Sequence, residues 1–269
     1  MPTPVRPEFL PDPALDRTAM EALQRDIADA AKFTDDLDFD ADAVGLDAGQ
    51  ASLSRDPASD PPLVAGVDQA FLDDRAVSAV VVSRGSEVVE RAYAVTDLSI
   101  PYVPGLLAFR EGGPIVDALA QLNCDPDLYV LDGSGRIHYR QAGIATHVGV
   151  LFDTPTVGVA KNLLCGTPRA STDGRPAGWR TPITVEDGDR VDAPRGTTIG
   201  YAYQSRQYDT NPIINPLYVS PGHRVSAETA VELVAALGGE YKLPEPTRLA
   251  DAYADEAKAA VADDRDGDA

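Results

Sequence analysis

Lysine is nearly missing from this chain. Only Lys32, Lys161, Lys242 and Lys258 are present, so 19 of the 23 basic residues are arginine. Acids outnumber bases by 43 to 23, and the formal net charge is −20. A nucleic-acid enzyme ordinarily carries a basic footprint, so bulk charge alone favours an acidic protein with no polyanion partner. Cysteine is almost as scarce. Cys124 and Cys165 make no CxxC spacing, which argues against a disulfide framework and against structural zinc. No apolar run is long enough to span a bilayer, which excludes a membrane partner of that kind. The start, MPTPVRPEFLPDP, lacks the basic and apolar regions of a signal peptide, and a cytoplasmic location is expected.

What remains is an ordinary globular composition, 43% hydrophobic over 269 residues. That length accommodates one sizeable core, and one domain with tails is the expectation. The negative charge is concentrated at the ends. Residues 1–62 hold 14 acids and 5 bases, and residues 245–269 hold 8 and 3. Residues 101–166 hold only 6 acids and 4 bases. A lysine-poor acidic surface suits a cell with molar internal salt, where the Debye length falls to about 3 Å and like charges scarcely repel.

Helical spacing of Leu15, Met20, Leu23, Ile27 and Ala31 predicts a helix over 12–32, with Asp12 as N-cap and Pro13 at its first position. Residues 34–62 shift to Asp, Ala, Gly, Ser and Pro and read as a linker with little to bury. Three apolar or alternating runs follow, near 63–71, 76–83 and 87–96. The short breaks between them predict hairpins. Gly112-Gly113-Pro114 marks a helix start, and LYVLDGSG reads as a strand ending at Asp132. A helix is expected over about 141–152 and a strand over 156–159. Strand-like segments return between 181 and 220. Ser-Pro-Gly-His (220–223) then leads into a helix capped by Ser226, and a last helix begins near Pro246. This order predicts an α/β fold with a mixed central sheet flanked by helices.

The chemistry-bearing residues cluster between 63 and 166. Asp68 interrupts an apolar strand, Glu111 lies beside a helix start, and Asp132 ends a strand. If those strands are neighbours, the three acids converge and suit Mg²⁺. An outward-facing strand residue is the commonplace alternative for Asp68. Lys161, rare in an arginine-rich chain, suits charge neutralisation at a phosphate, against the ordinary reading of a solvated strand end. His223 precedes a helix, a good place for a proton donor or a phosphate contact. His147, among Ile144, Val148 and Leu151, reads as buried and structural. Tyr102, flanked by Pro101 and Pro104, is a rigidly held ring that could act as a wedge between bases, or could simply close a tight turn. Glycines 105, 133 and 135 would let backbone approach an extruded base.

VAGVDQAF, PYVPGLLAFREGG, DGSGRIHYRQAGIATHVGV, TPTVGVAKNLLCG, VSPGH and LPEPTRLA together resemble the endonuclease V family, across roughly residues 63–251. The resemblance implies a ribonuclease H-like fold and a deoxyinosine-specific nuclease. That enzyme would cut the second phosphodiester 3′ to the deaminated purine, leaving 3′-hydroxyl and 5′-phosphate ends. It implies Asp68, Glu111 and Asp132 as ligands of Mg²⁺, with Mn²⁺ as a substitute, and Lys161 and His223 near the scissile phosphate. Pro101, Tyr102, Val103 and Pro104 would form the strand-separating wedge. Gly105, Leu107, Gly133 and His138 would line the base pocket, and Arg110 would brace the site. The expected organisation is an N-terminal helix and acidic linker (1–62) and an acidic tail (252–269), both outside the resemblance, around the nuclease domain (63–251). A monomer acting on DNA containing deoxyinosine, or on inosine-containing RNA, is expected. Ile137-His138-Tyr139 departs from the family's Ala-His-Pro. The competing readings are an inosine-specific RNA endonuclease or another ribonuclease H-like nuclease, and, from another class, a non-catalytic inosine-binding module.

Overall fold

The computed structural model describes residues 1–46, 60–72, 74–100, 103–208 and 214–267. In chain order these form α1 (Arg17–Ala30), β1 (Leu63–Leu72), β2 (Arg75–Arg84), β3 (Glu87–Asp97), α2 (Leu107–Leu119) and β4 (Leu128–Asp132). Next come α3 (Ile144–Phe152), β5 (Thr156–Ala160), β6 (Thr167–Pro168), β7 (Arg180–Thr184), β8 (Thr198–Tyr203) and β9 (Leu217–His223), then α4 (Ala227–Ala236) and α5 (Glu245–Gly267). The strands join in one sheet of order β3-β2-β1-β4-β5-β9-β8-β7-β6. β1, β2 and β3 pair antiparallel as the hairpin signals predict, while β1–β4 and β4–β5 are parallel. The half β3-β2-β1-β4-β5 is the mixed arrangement expected of a ribonuclease H-like core.

Strand periodicity sorts side chains onto two faces. Tyr129 and Leu131 of β4 join Ala65 and Val67 of β1 in a core covered by α1, α2 and α3. Leu128 and Val130 turn the other way, against Val231, Leu233 and Val234 of α4. α5 lies across the outer part of that second face, with Ala254 against Ala70 and Ala79. Gly66 makes this approach possible, because a Cβ there would sit 1.9 Å from the Pro246 carbonyl oxygen. Nine of nine residues of α3 are buried, so that helix passes through the core rather than along its surface.

Several elements differ from expectation. α1 starts at Arg17, because Asp16 rather than Asp12 accepts the capping bond, from the Ala19 amide. α2 starts at Leu107 and runs through Pro114, since burial of Ala108, Phe109, Ile115 and Leu119 outweighs the hydrogen bond that proline cannot make. The last strand extends past the expected end at 220 through Ser-Pro-Gly-His to His223, and α4 follows with Ser226 as its cap, as expected. The early part of the acidic segment is packed as well. Val44 is buried against Val64 and Leu128, and Asp35 accepts bonds from the Ser226 amide and the Thr229 hydroxyl at the start of α4. Among the described residues no helix is long and apolar enough to cross a membrane.

Candidate nuclease site

The register of β1 on β4 pairs Val67 with Leu131, which sets Asp68 beside Asp132, with neighbouring strands about 4.8 Å apart. Asp68 shares a face with Gly66 and Ala70, beneath α5. Glu111 reaches the same place from α2 on the opposite face, held within the helix rather than just before its start. The three carboxylates line one cavity of about 200 Å³ with Val67, Gln69, Phe71, Ile115 and Ile144. Gln69 ties its walls together, donating to Ser78 Oγ at 2.5 Å and to the Glu111 carbonyl at 3.2 Å.

The electrostatics are those of a site short of positive charge. Burial pushes the Asp68 carboxyl up to about 8, and the charge of Asp132 adds to it. Burial also lifts Glu111 to about 7, although Arg110 pulls the other way. Lys161 follows the end of β5 and donates from Nζ to Asp132 Oδ2 at 2.8 Å. Burial opposes its charge, but the Asp132 bond and the fields of Asp132, Asp68 and Asp251 lift its pKa overall. An all-oxygen donor set with unbalanced negative charge suits Mg²⁺. Among the described residues no three His, Cys, Asp or Glu side chains draw together into a ready metal cage. Mg²⁺ needs none, because it binds through one or two carboxylates and completes its shell with water and substrate phosphate.

A second, smaller pocket of about 100 Å³ adjoins this cavity through Ile144. Gly105, Leu107 and His138 line it, with Pro104, Ser134 and Gly143 among the remaining walls. Gly133 is not among the described walls but lies against one of them: at φ +148° a Cβ there would meet Ile144 Cγ2 at 2.4 Å, so only glycine fits. Both nitrogens of His138 are engaged: Nε2 donates to the Gly105 carbonyl at 3.1 Å, and Nδ1 accepts from the Arg140 amide. Burial holds the ring at about 4, so it is neutral. The Gly105 carbonyl also accepts from Gln24 Nε2 of α1 at 2.9 Å and from Arg140 Nη2 at 3.2 Å. His138 therefore fixes the pocket's backbone.

Of the expected wedge, Pro101 and Tyr102 lie outside the described residues. Val103 packs beside Met20, Ile100, Leu106 and Phe109, and Pro104 is exposed at the pocket mouth. Arg110 donates from Nη1 to the Ile100 carbonyl at 2.7 Å, bracing the chain that leads into this turn.

His223 does not come to the cavity. β5 and β9 run antiparallel with Thr156 opposite His223 and Ala160 opposite Tyr218. His223 thus lies beside the start of β5, about 13 Å along the strand from the end that carries Lys161. Its ring is wholly buried, with Nε2 on Asp153 Oδ1 at 2.9 Å and Nδ1 accepting from the Lys32 amide. It is a tie between α1, α3 and β9. Conversely, Asp251 on α5 is close enough for its field to act on Asp68 and Lys161. Periodicity does not single it out from the other acids of residues 245–269.

The endonuclease V family profile matches residues 48–252. Endonuclease V of Haloarcula marismortui is 60% identical over 96% of this chain and 98% of its own length. The crystal structure of Streptomyces avermitilis endonuclease V superposes with a TM-score of 0.70 at 33% identity, over 92% of this chain and 95% of that one. Endonuclease V of Ciona intestinalis, in complex with a 24mer DNA containing an inosine followed by a ribo-adenosine, gives a TM-score of 0.68 at 25% identity, over 89% and 96%. The similarity spans nearly the whole of the chain and of its haloarchaeal relative, and this chain belongs to the endonuclease V family of DNA-cleaving hydrolases.

Proposed function

We propose that the protein is a divalent-metal-dependent repair endonuclease that takes a deaminated adenine from a DNA strand into the pocket beside Gly105 and hydrolyses the second phosphodiester on its 3′ side. One observation carries the reading: the cavity of Asp68, Glu111 and Asp132 shares a wall, Ile144, with that base-sized pocket. A strand with its base in the pocket would have its neighbouring phosphates within reach of the carboxylates.

Asp68, Glu111 and Asp132 would hold Mg²⁺, or Mn²⁺ in its place. When bound, the ion supplies charge neutralisation at the phosphate and a more acidic water. The Lys161 ammonium, fixed by Asp132, offsets the charge that develops on the phosphate oxygens. In the overall reaction the water oxygen bonds to phosphorus as the bond to the 3′ oxygen breaks. A proton ends on that oxygen, giving 3′-hydroxyl and 5′-phosphate ends. Neutral His138 holds the Gly105 carbonyl so that the pocket presents fixed backbone groups to the base. Hypoxanthine and adenine differ at one edge by a carbonyl for an amine. A pocket matched to the carbonyl form leaves adenine with unpaired polar groups, which are costly to bury. Pro101, Tyr102, Val103 and Pro104, braced by Arg110, would hold the strands apart while the base is out.

The test is strand cleavage on matched DNA and RNA oligonucleotides that carry one inosine or one adenine, with Mg²⁺, with Mn²⁺ and with chelator. The expected outcome is metal-dependent cutting of the inosine DNA one nucleotide beyond its 3′ neighbouring bond. Equal cutting of the adenine strand, or cutting in chelator, would overturn the proposal. Faster cutting of the RNA would reassign the main substrate to inosine-containing RNA.

A further inference from the structure

Four of the chain's arginines meet in one cleft, although the molecule as a whole is strongly acidic. Arg17 and Arg25 of α1, Arg140 after the base pocket's loop, and Arg190 between β7 and β8 line a cavity of about 350 Å³ with Pro104, Tyr139 and Asp192. Among the described residues Asp192 is the only acid in those walls, and it is engaged with Arg25 at 3.4 Å. Glu21 pairs with Arg17 at 2.9 Å and stands 3.9 Å from Arg140. Arg190 is exposed and has no ion-pair partner among the described residues. Two acids against four guanidiniums leave the cleft cationic.

Its position gives that charge a meaning. The base pocket touches the arginine cleft through Pro104 and the carboxylate cavity through Ile144, and the two flanking sites share no wall. A single strand whose base occupies the pocket leaves it in two directions. If the carboxylates take the 3′ phosphates, the strand must run toward the arginines on its 5′ side. Resting on the proposed function, the geometry points to the Arg17–Arg25–Arg140–Arg190 cleft as the binding site for backbone phosphates 5′ to the extruded base.

Arginine is the side chain suited to this task. Its planar fork holds a phosphate with two parallel hydrogen bonds, so contact keeps geometric strength where salt screens plain Coulomb attraction. Tyr139, which replaces the family's proline, packs its ring edge within reach of Gly105 and forms a wall of the cleft. Arg140 belongs to both sites, since it also bonds the Gly105 carbonyl and Gln24 Oε1. Arg17 and Arg25 lie outside residues 48–252, so the inference gives the N-terminal helix a part in substrate binding.

The experiment measures equilibrium binding of fluorescent single strands by the full chain in chelator, over the KCl range in which circular dichroism shows it folded. Arg17→Gln/Arg190→Gln is compared with wild type, because both side chains are exposed and their loss leaves the pocket's own bonds intact. One strand carries ten nucleotides 5′ to the inosine, the second begins at the inosine, and a third is the long strand with adenine in place of inosine. On the long strand the double variant should bind about tenfold more weakly. Its plot of log affinity against log salt should be shallower by about 1.4, the value for two lost phosphate contacts. On the short strand variant and wild type should agree. Equal affinities and slopes on the long strand, or an equal loss on the short one, would overturn the inference. Wild type that binds inosine and adenine strands alike would instead sink the base-recognition reading, while the long-strand comparison would still decide the cleft.

Discussion

Burial lifts the Asp68 carboxyl to about 8 and Glu111 to about 7, with Asp132 adding to both, so folding without a cation assembles charges that repel. Sites arranged for chemistry commonly cost stability in this way. Asp68→Asn should therefore cut strand cleavage about 1000-fold or more, the effect of losing several kcal/mol of charge stabilisation. In metal-free buffer the same variant should melt higher, by roughly 2–4 °C if the relief is worth about 1 kcal/mol. Cleavage assays paired with thermal melts check both. An active Asp68→Asn enzyme removes that acid from the catalytic set, and a lower melting temperature removes the repulsion argument. His223 makes the opposite case. With both ring nitrogens bonded and no exposed surface, His223→Gln should leave kcat within about threefold of wild type while costing ~1–3 kcal/mol of stability. Urea unfolding beside single-turnover kinetics separates the two effects. A large drop in the rate of the folded variant would return His223 to the chemistry. That Asp68 and Asp132 come to one cavity was legible, because an acid interrupting one apolar strand and an acid ending another meet once those strands are neighbours. Where His223 lies was not legible, because a residue near a helix start looks the same in sequence whether it faces a cavity or the core.

At the scale of elements, the strands were readable and the junctions were not. β1, β2 and β3 fall within two residues of the apolar runs, since turns and period-two alternation are local signals. The start of α2 was hidden because Gly-Gly-Pro ordinarily breaks a helix, and only the packing of Phe109 and Ile115 reveals that it continues. The packed stretch around Val44 was hidden for a similar reason, as its partners come from β1 and β4. α3 carries a consequence that pH exposes. His147 donates from Nε2 to the Phe9 carbonyl at 2.6 Å, and its Nδ1 is buried without a partner. Burial holds His147 at about 4, and His138 at about 4 as well. Between the unfolded value near 6.5 and that value, the unfolded chain binds protons that the folded rings refuse. Stability present above pH 6.5 therefore drains as pH falls toward 4, by ~3 kcal/mol per ring. Asp68 and Glu111, shifted upward, contribute a slope of opposite sign. The histidine share is accordingly read as a difference between wild type and His147→Gln. Denaturant unfolding from pH 7 to 4.5 should show the variant losing less stability than wild type, and parallel curves would refute the assignment.

For the molecule as a whole, a net charge of −20 sets a long-range repulsion that no single contact explains. The ion pairs do not offset it. Most join exposed side chains, such as Lys32–Asp36 and Arg195–Asp187, and pairs of that kind contribute little. Salt weakens those pairs only slightly, yet it shortens the Debye length from about 10 Å at 0.1 M to about 3 Å at 1 M. Repulsion between the packed acidic segment, α5 and the sheet then fades, and with it the repulsion between the acidic surface and the phosphates of the substrate. The melting temperature should therefore rise steeply with KCl and level off near 1 M, and cleavage should be faster at molar salt than in dilute buffer. Most DNA enzymes behave oppositely, because phosphate binding releases counterions and weakens as salt increases. Melting curves and initial rates from 0.1 to 3 M KCl test this together. A steady climb in stability through 3 M would point to exclusion of salt from the surface rather than to screening. Best performance at 0.1 M would mean that the acidic surface has no part in matching the chain to a salty cell.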